Sequence, residues 1–148
     1  MSLHVVFDTG TLVSAALRPD SIPEQAFRLA ILEHHVFVSR ETLGELDRVL
    51  KLKKFDRYVA LDVRMEFVKK LRRDSVHCTV PKELLDAVRD ACRDPKDDPI
   101  LALGLEAGAE ALVSSDQDLL VMHPWRGIRI VTPADFLMEY SIEGDFPR

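Results

Sequence analysis

Five short apolar runs punctuate the chain: His4 to Asp8, Val36 to Ser39, Val76 to Val80, Ala111 to Ser114 and Ile128 to Val131. They are rich in Val, Ile, Leu and Phe and too short for helices, as expected of strands buried on both faces. Between them the apolar residues recur at helical spacing. Ser21-Ile22-Pro23-Glu24 has the form of a capping box with proline in the first turn and opens a helix toward Glu33. Ser39 can cap the next, from Arg40 to about Lys51. A third, Leu61 to Arg73, carries Leu61, Met65, Val68 and Leu71 on one side and its basic residues near the end, where the helix dipole favours them. Asp98-Pro99 starts a fourth that Gly108 can close, and Thr132-Pro133 a fifth ending near Tyr140. This alternation predicts an α/β protein, a mostly parallel sheet covered by helices. With no repeat or linker dividing it, residues 1–140 read as one domain and 141–148, which lack periodicity, as a disordered tail.

Composition changes this picture little. A chain of 148 residues, 47% hydrophobic and 30% charged, closes one core without disulfides. Cys78 and Cys92 stand in no C-x-x-C or Cys/His cluster, so two reduced thiols are expected rather than a zinc site. No run approaches the roughly 18 apolar residues of a membrane span, and no basic, then apolar, leader opens the chain, so a cytoplasmic protein is expected. The net charge of -5 argues against a polyanionic partner only until the acids are located. Acids gathered around a cation are locally cancelled, leaving the stretches Leu50 to Arg57 and Lys69 to Arg73 as phosphate-contacting candidates or plain solvated helix faces.

The acids fall where such a sheet binds ligands, outside the carboxyl ends of its strands. Asp8 and Asp116 each follow a strand, and if those strands are neighbours both face one crevice. On the helix after the second strand, about 100° per residue puts Leu43, Leu46, Val49 and Leu50 inside, Glu45 at the margin and Glu41 in solvent. Asp94, Asp97 and Asp98 crowd into CRDPKDDPIL. Asp98 has the best-defined position, as an N-cap before proline, with Asp97 beside it as the second candidate. Like charges packed into one crevice must take up protons or hold a cation, and all-oxygen ligands favour magnesium or manganese. His4, His34, His35, His77 and His123 are read as structural or exposed.

The phrase VVFDTGTL superficially resembles the haloacid dehalogenase-like phosphatases, whose nucleophilic aspartate is followed two positions later by an acid-base aspartate. Gly10 stands there instead, and the lysine those enzymes need has no counterpart. FDTGTLVSAAL, SRETLGELDRVL, RDPKDDPILALGLEAGAEALVSSDQDLL and TPADFLMEY, in that order, resemble the PIN-domain family over nearly the whole chain. That family includes the VapC-like toxin ribonucleases. The resemblance implies a three-layer α/β/α sandwich with a five-stranded parallel sheet. It also implies hydrolysis of RNA phosphodiester bonds with Mg2+ or Mn2+ at Asp8, Glu45, Asp98 and Asp116, with Asp118 as a further metal ligand. Thr9 and Ser115 would orient ligand or water, or simply cap the turns that follow them. A cognate antitoxin and a homodimer are further implications. The family usually writes D-T-N where this chain has Asp8-Thr9-Gly10; glycine supplies the turn but not the amide, so looser preorganisation is expected. A PIN-like binding module without turnover is the alternative, and a haloacid dehalogenase-like phosphatase a more distant one.

Overall fold

The computed structural model describes residues 2–140. Five strands, β1 (His4–Phe7), β2 (His35–Ser39), β3 (Val76–Cys78), β4 (Ala111–Val113) and β5 (Arg129–Val131), form one parallel sheet in the order β3-β2-β1-β4-β5. Each falls on one of the apolar runs. The helices are α1 (Thr9–Leu17), α2 (Ile22–Glu33), α3 (Arg40–Leu50), α4 (Leu61–Asp74), α5 (Lys82–Ala87), α6 (Asp98–Glu106), α7 (Gln117–Leu120) and α8 (Pro133–Tyr140). The expected tail, 141–148, lies outside the described residues.

Successive strand residues point to opposite faces, and both faces are covered. Val5, Phe7, Val36, Val38, Val113 and Val131 pack with Leu12 of α1, Phe27 of α2, Leu46 and Leu50 of α3, Leu71 of α4 and Phe136 of α8. On the other face Val6, Leu112 and Ile130 meet Ile100, Leu101 and Leu103 of α6, together with Val88 and Leu119. Each such side chain removed from water contributes about 1.5–3 kcal/mol, which is why two filled layers hold a sheet of strands this short. The approach of α6 is close: a Cβ on Gly104 would lie 3.1 Å from Ile128 Cδ1.

Capping follows the sequence in two places and departs from it in a third. Ser39 and Thr42 close a reciprocal box at the start of α3, each side chain accepting from the other's backbone N–H. Ser21 accepts from the Glu24 N–H, but the Glu24 carboxylate turns to the Asp20 N–H, 3.2 Å away, so that box stays open. Asp98 is not an N-cap at all. Asp94 caps a single 3-10 turn, Pro95–Asp97, accepting from the Lys96 N–H at 3.0 Å, and that turn runs straight into α6. Asp97 and Asp98 already have helical backbone angles, so the α6 N-terminus carries no side-chain cap.

The chain reverses direction across the sheet between β1 and β4. From β1 it proceeds through β2 to the β3 edge, then returns to place β4 on the other flank of β1. The connections leaving β1 and β4 diverge there and open a crevice beyond the strand ends.

Candidate active site

Register decides what meets in that crevice. Phe7 is paired with Val113, so the next residues, Asp8 and Ser114, stand opposite each other, and the Asp8 N–H donates to the Val113 carbonyl at 3.1 Å. Asp8 caps α1, its Oδ1 accepting from the Thr11 N–H at 2.8 Å, while its Oδ2 accepts from the Ser114 hydroxyl. That hydroxyl, with no exposure at all, also accepts from the Asp116 N–H at 3.0 Å. One buried serine thus ties the acid at the end of β1 to the acid beyond β4. Asp116 in turn caps α7, accepting from the Asp118 N–H at 2.9 Å.

The crevice has a volume of about 330 Å³ and is lined by Asp8, Glu45, Asp94, Asp97 and Asp116. Thr9, Gly10, Thr11, Thr42, Lys96 and Ser115 also reach it. Of the positions expected from sequence, Asp8, Glu45, Asp116, Thr9 and Ser115 are brought together; Asp98 and Asp118 are not. Asp98 is one residue further along a chain already turning at about 100° per residue, so Asp97 takes the crevice side and Asp98 faces elsewhere. Beside Asp90 and Arg89, Asp98 is held above the ordinary carboxylate range chiefly by desolvation, and its Oδ1 is buried without a hydrogen bond. Asp118 lies 3.7 Å from the Arg93 guanidinium, and its carbonyl accepts from the Cys92 thiol at 3.4 Å.

The charge balance of the crevice is lopsided. Burial pushes the Asp8 carboxyl up, the hydrogen bonds from Ser114 and Thr11 pull it back, and the Asp116 charge adds to the rise. Asp97 goes further, to about 6, raised first by desolvation and then by the charges of Asp116, Asp94 and Asp8, against a lowering hydrogen bond from the Cys92 thiol. Among the described residues, none of the five acids is paired with a lysine or arginine within 4.0 Å. Among the described residues, Lys96 is the only cation on the wall. Crowded, oxygen-only and uncompensated, this donor set suits a hard divalent ion in kind. In placement it stands slightly open, since no three of the metal-binding side chains converge on a common point among the described residues.

Ser114 and Thr11 went unread in the sequence, and Asp97 was placed behind Asp98. Ser114 was counted as strand, though alternation past a strand paired with β1 would have placed its hydroxyl beside Asp8. Thr11, 3% exposed, has a hydroxyl without a hydrogen-bond partner at the crevice wall. For Asp97, the signal was the earlier Asp94-Pro95 pair, which starts the turn before the Asp98-Pro99 pair can. Gly10 also needs correction: it sits inside the first turn of α1, not at a turn requiring glycine, and an added Cβ would meet nothing within 4 Å. The five histidines are structural or exposed as expected; His123 Nδ1, for example, accepts from the Ile130 N–H at 2.9 Å.

A parallel α/β fold with a carboxylate-lined crevice at its switch point defines a narrow class of proteins. Residues 4–118 match the PIN domain model, and the chain belongs to the PIN-domain family, whose members are generally divalent-metal nucleases. The fold is shared with PAE2754 from Pyrobaculum aerophilum, at a TM-score of 0.61 and 16% identity over 92% of this chain and 88% of that one. It is shared too with VapBC2 from Rickettsia felis, solved bound to a DNA fragment from its promoter, at 0.64 and 12% over 88% and 98%. VapC20 of Mycobacterium tuberculosis, described as a Sarcin-Ricin loop cleaving toxin, gives 0.58 and 16% over 84% and 98%. No curated protein matches the chain. The phosphatase resemblance is left without support. Among the described residues, no helix is long and apolar enough to cross a membrane.

Proposed function

We propose that this protein is a Mg2+- or Mn2+-dependent endoribonuclease and the toxin of a toxin–antitoxin pair. The observation that carries the reading is the crevice itself, where Asp8, Glu45, Asp97 and Asp116 gather from four separate segments and, among the described residues, none is ion-paired with a lysine or arginine. Asp97 replaces Asp98 in the proposed ligand set, for the geometric reason given above. A bound divalent ion supplies charge neutralisation at a phosphodiester and an activated water. The chain's own residues do the positioning. Ser114 holds Asp8 and the Asp116 backbone in one frame, the Thr11 N–H orients the second Asp8 oxygen, and Thr9 and Ser115 stand on the wall where they can hydrogen-bond substrate or water. No covalent nucleophile is required.

The toxin assignment draws on the shared fold of VapBC2 and VapC20, and with it come a cognate antitoxin and a homodimer as proposed partners. A second reading, a crevice that binds without cutting, is favoured by the open spacing of the acids. Incubating the protein with single-stranded RNA and magnesium or manganese separates the two, since only a nuclease generates new ends. Asp8→Asn should lower cleavage by roughly 10²–10³-fold, as expected on removing one electrostatic element of an active site, and should leave the melting curve cooperative. Undiminished cleavage by that variant would sink the assignment.

A further inference from the structure

Helix α3 is a shared wall. Thr42 and Glu45 face the acidic crevice, while Arg40, Leu43 and Gly44 line a second hollow of about 570 Å³ closed by Arg72, His77, Cys78 and Thr79. Among the described residues, no acid lines this second hollow. Its basic side chains come from three elements: the guanidiniums of Arg40 from the start of α3 and Arg72 from the end of α4, and the His77 imidazole from β3, at the edge of the sheet. All three are exposed, and among the described residues neither arginine is paired with a carboxylate within 4.0 Å. His77 Nε2 donates to the Arg72 carbonyl at 2.8 Å, which ties the strand to the end of the helix. Arg40, Gly44 and Arg48 recur at four-residue spacing, so they share one face of α3, and all three are exposed. Gly44 leaves the middle of that stripe bare, for an added Cβ there meets nothing within 4 Å.

Unpaired arginines around an open, acid-free hollow, in a chain of net charge -5, are an anion site in the making. We infer that the Arg40–Arg72–His77 hollow is a backbone-phosphate subsite for single-stranded RNA, engaging the strand a few nucleotides away from the scissile bond. The inference rests on the nuclease reading of the neighbouring crevice. A helix with side chains is about 10–12 Å across, so a strand laid over the exposed end of α3 reaches both hollows. Division of labour follows. The crevice repels phosphate until a cation is bound, whereas the hollow attracts it at all times, so the hollow supplies affinity that does not depend on metal.

Metal-free binding of a labelled single-stranded RNA, followed by fluorescence anisotropy in EDTA over a range of salt concentrations, tests this on the full chain. Losing two phosphate contacts in Arg40→Gln/Arg72→Gln should flatten the slope of log affinity against log salt by about 1.4. Wild type would then lose about sevenfold more affinity than the variant between about 50 and 200 mM salt. Gly44→Glu, which sets a negative charge at the hollow from a position whose Cβ meets nothing within 4 Å, should weaken binding, and Gly44→Ala should not. Arg28→Gln/Arg129→Gln, removing one cation on α2 and one on β5 at the opposite edge of the sheet, should behave as wild type. An unchanged slope in the Arg40/Arg72 variant overturns the subsite, as does equal binding by Gly44→Glu and Gly44→Ala. Tighter binding of polyglutamate than of RNA at matched salt also overturns it and makes an acidic peptide the occupant. If the variants behave as expected but no RNA is cut with magnesium or manganese, the nuclease reading falls and the subsite stands. Cleavage with an unchanged slope does the reverse.

Discussion

Two charged side chains are buried among the described residues, Arg64 on α4 and Asp8 at the end of β1, and they are treated in opposite ways. Arg64 has no exposed surface, and its guanidinium donates to the carbonyls of Leu50 and Leu52, at 2.7 and 3.0 Å, and to the Asp56 carboxylate. Only its Nε lacks a partner. Asp8 has hydroxyl and amide donors, but its charged neighbours are other acids. A buried charge answered by acceptors and a counter-ion is architecture, here a clasp that holds the end of α3 and the turn after it against α4. A buried charge surrounded by its own sign raises the energy of the folded state unless something arrives from outside.

Removing each charge should therefore have opposite consequences, and the larger effect on stability belongs to Arg64. Arg64→Met keeps most of the aliphatic volume and deletes the donors, leaving the Leu50 and Leu52 carbonyls short of partners, while Asp56, well exposed, returns to water. The cost should be about 3 kcal/mol, a fall of about 6–12 °C in Tm for a chain of this size. Well below that temperature, RNA cleavage should be unchanged, because the clasp lies apart from the crevice walls. A Tm within a degree or so of wild type would show that the clasp is not holding α3 to α4.

The asymmetry between the two sites also explains what the sequence disclosed. Strands buried on both faces announce themselves as apolar runs, and Asp8 and Asp116 stand out because each interrupts such a run at its end. Glu45 followed from helix periodicity alone. Asp97 did not, because the choice between adjacent acids depends on the phase at which the chain enters α6, and that phase is set upstream at Asp94-Pro95. Ser114 was hidden for a different reason: its role comes from the parallel register of β1 against β4, a long-range pairing that no local pattern encodes. Arg64 reads in sequence as one more cation on a basic helix, and only the fold turns it inward.

Ser114 offers a finer test of the acidic side. Ser114→Ala removes the one hydroxyl that joins Asp8 to the Asp116 backbone while sparing both carboxylates. By analogy with outer partners of metal ligands elsewhere, manganese affinity measured by titration calorimetry should fall about 10–100-fold. Cleavage should recover in part at saturating metal, which loss of a ligand itself would not allow. Ser114→Thr, which keeps the hydroxyl, should retain most of the affinity. If Ser114→Ala binds manganese as wild type does, the crevice acids are organised by something other than this bridge.

The smallest effect expected is one of pH. Asp97 holds its proton to about 6 in the folded protein, against 3.8 ordinarily, so between those values the folded state binds more protons than the unfolded one. Stability attributable to this group is therefore greatest below about 4, declines as pH rises toward 6, and is flat above. Asp8 and Asp98, also raised, act in the same direction. Asp97→Asn should gain on wild type in metal-free Tm across that window, by a few degrees at most because the carboxyl is only half-buried, and keep a constant lead at pH 7–8. Adding manganese at pH 7 should reverse the order, raising the Tm of wild type with metal concentration and that of the variant much less. Parallel pH profiles for the two proteins would mean that Asp97 does not feel the crowding of the crevice, and the contrast with Arg64 would then rest on Asp8 alone.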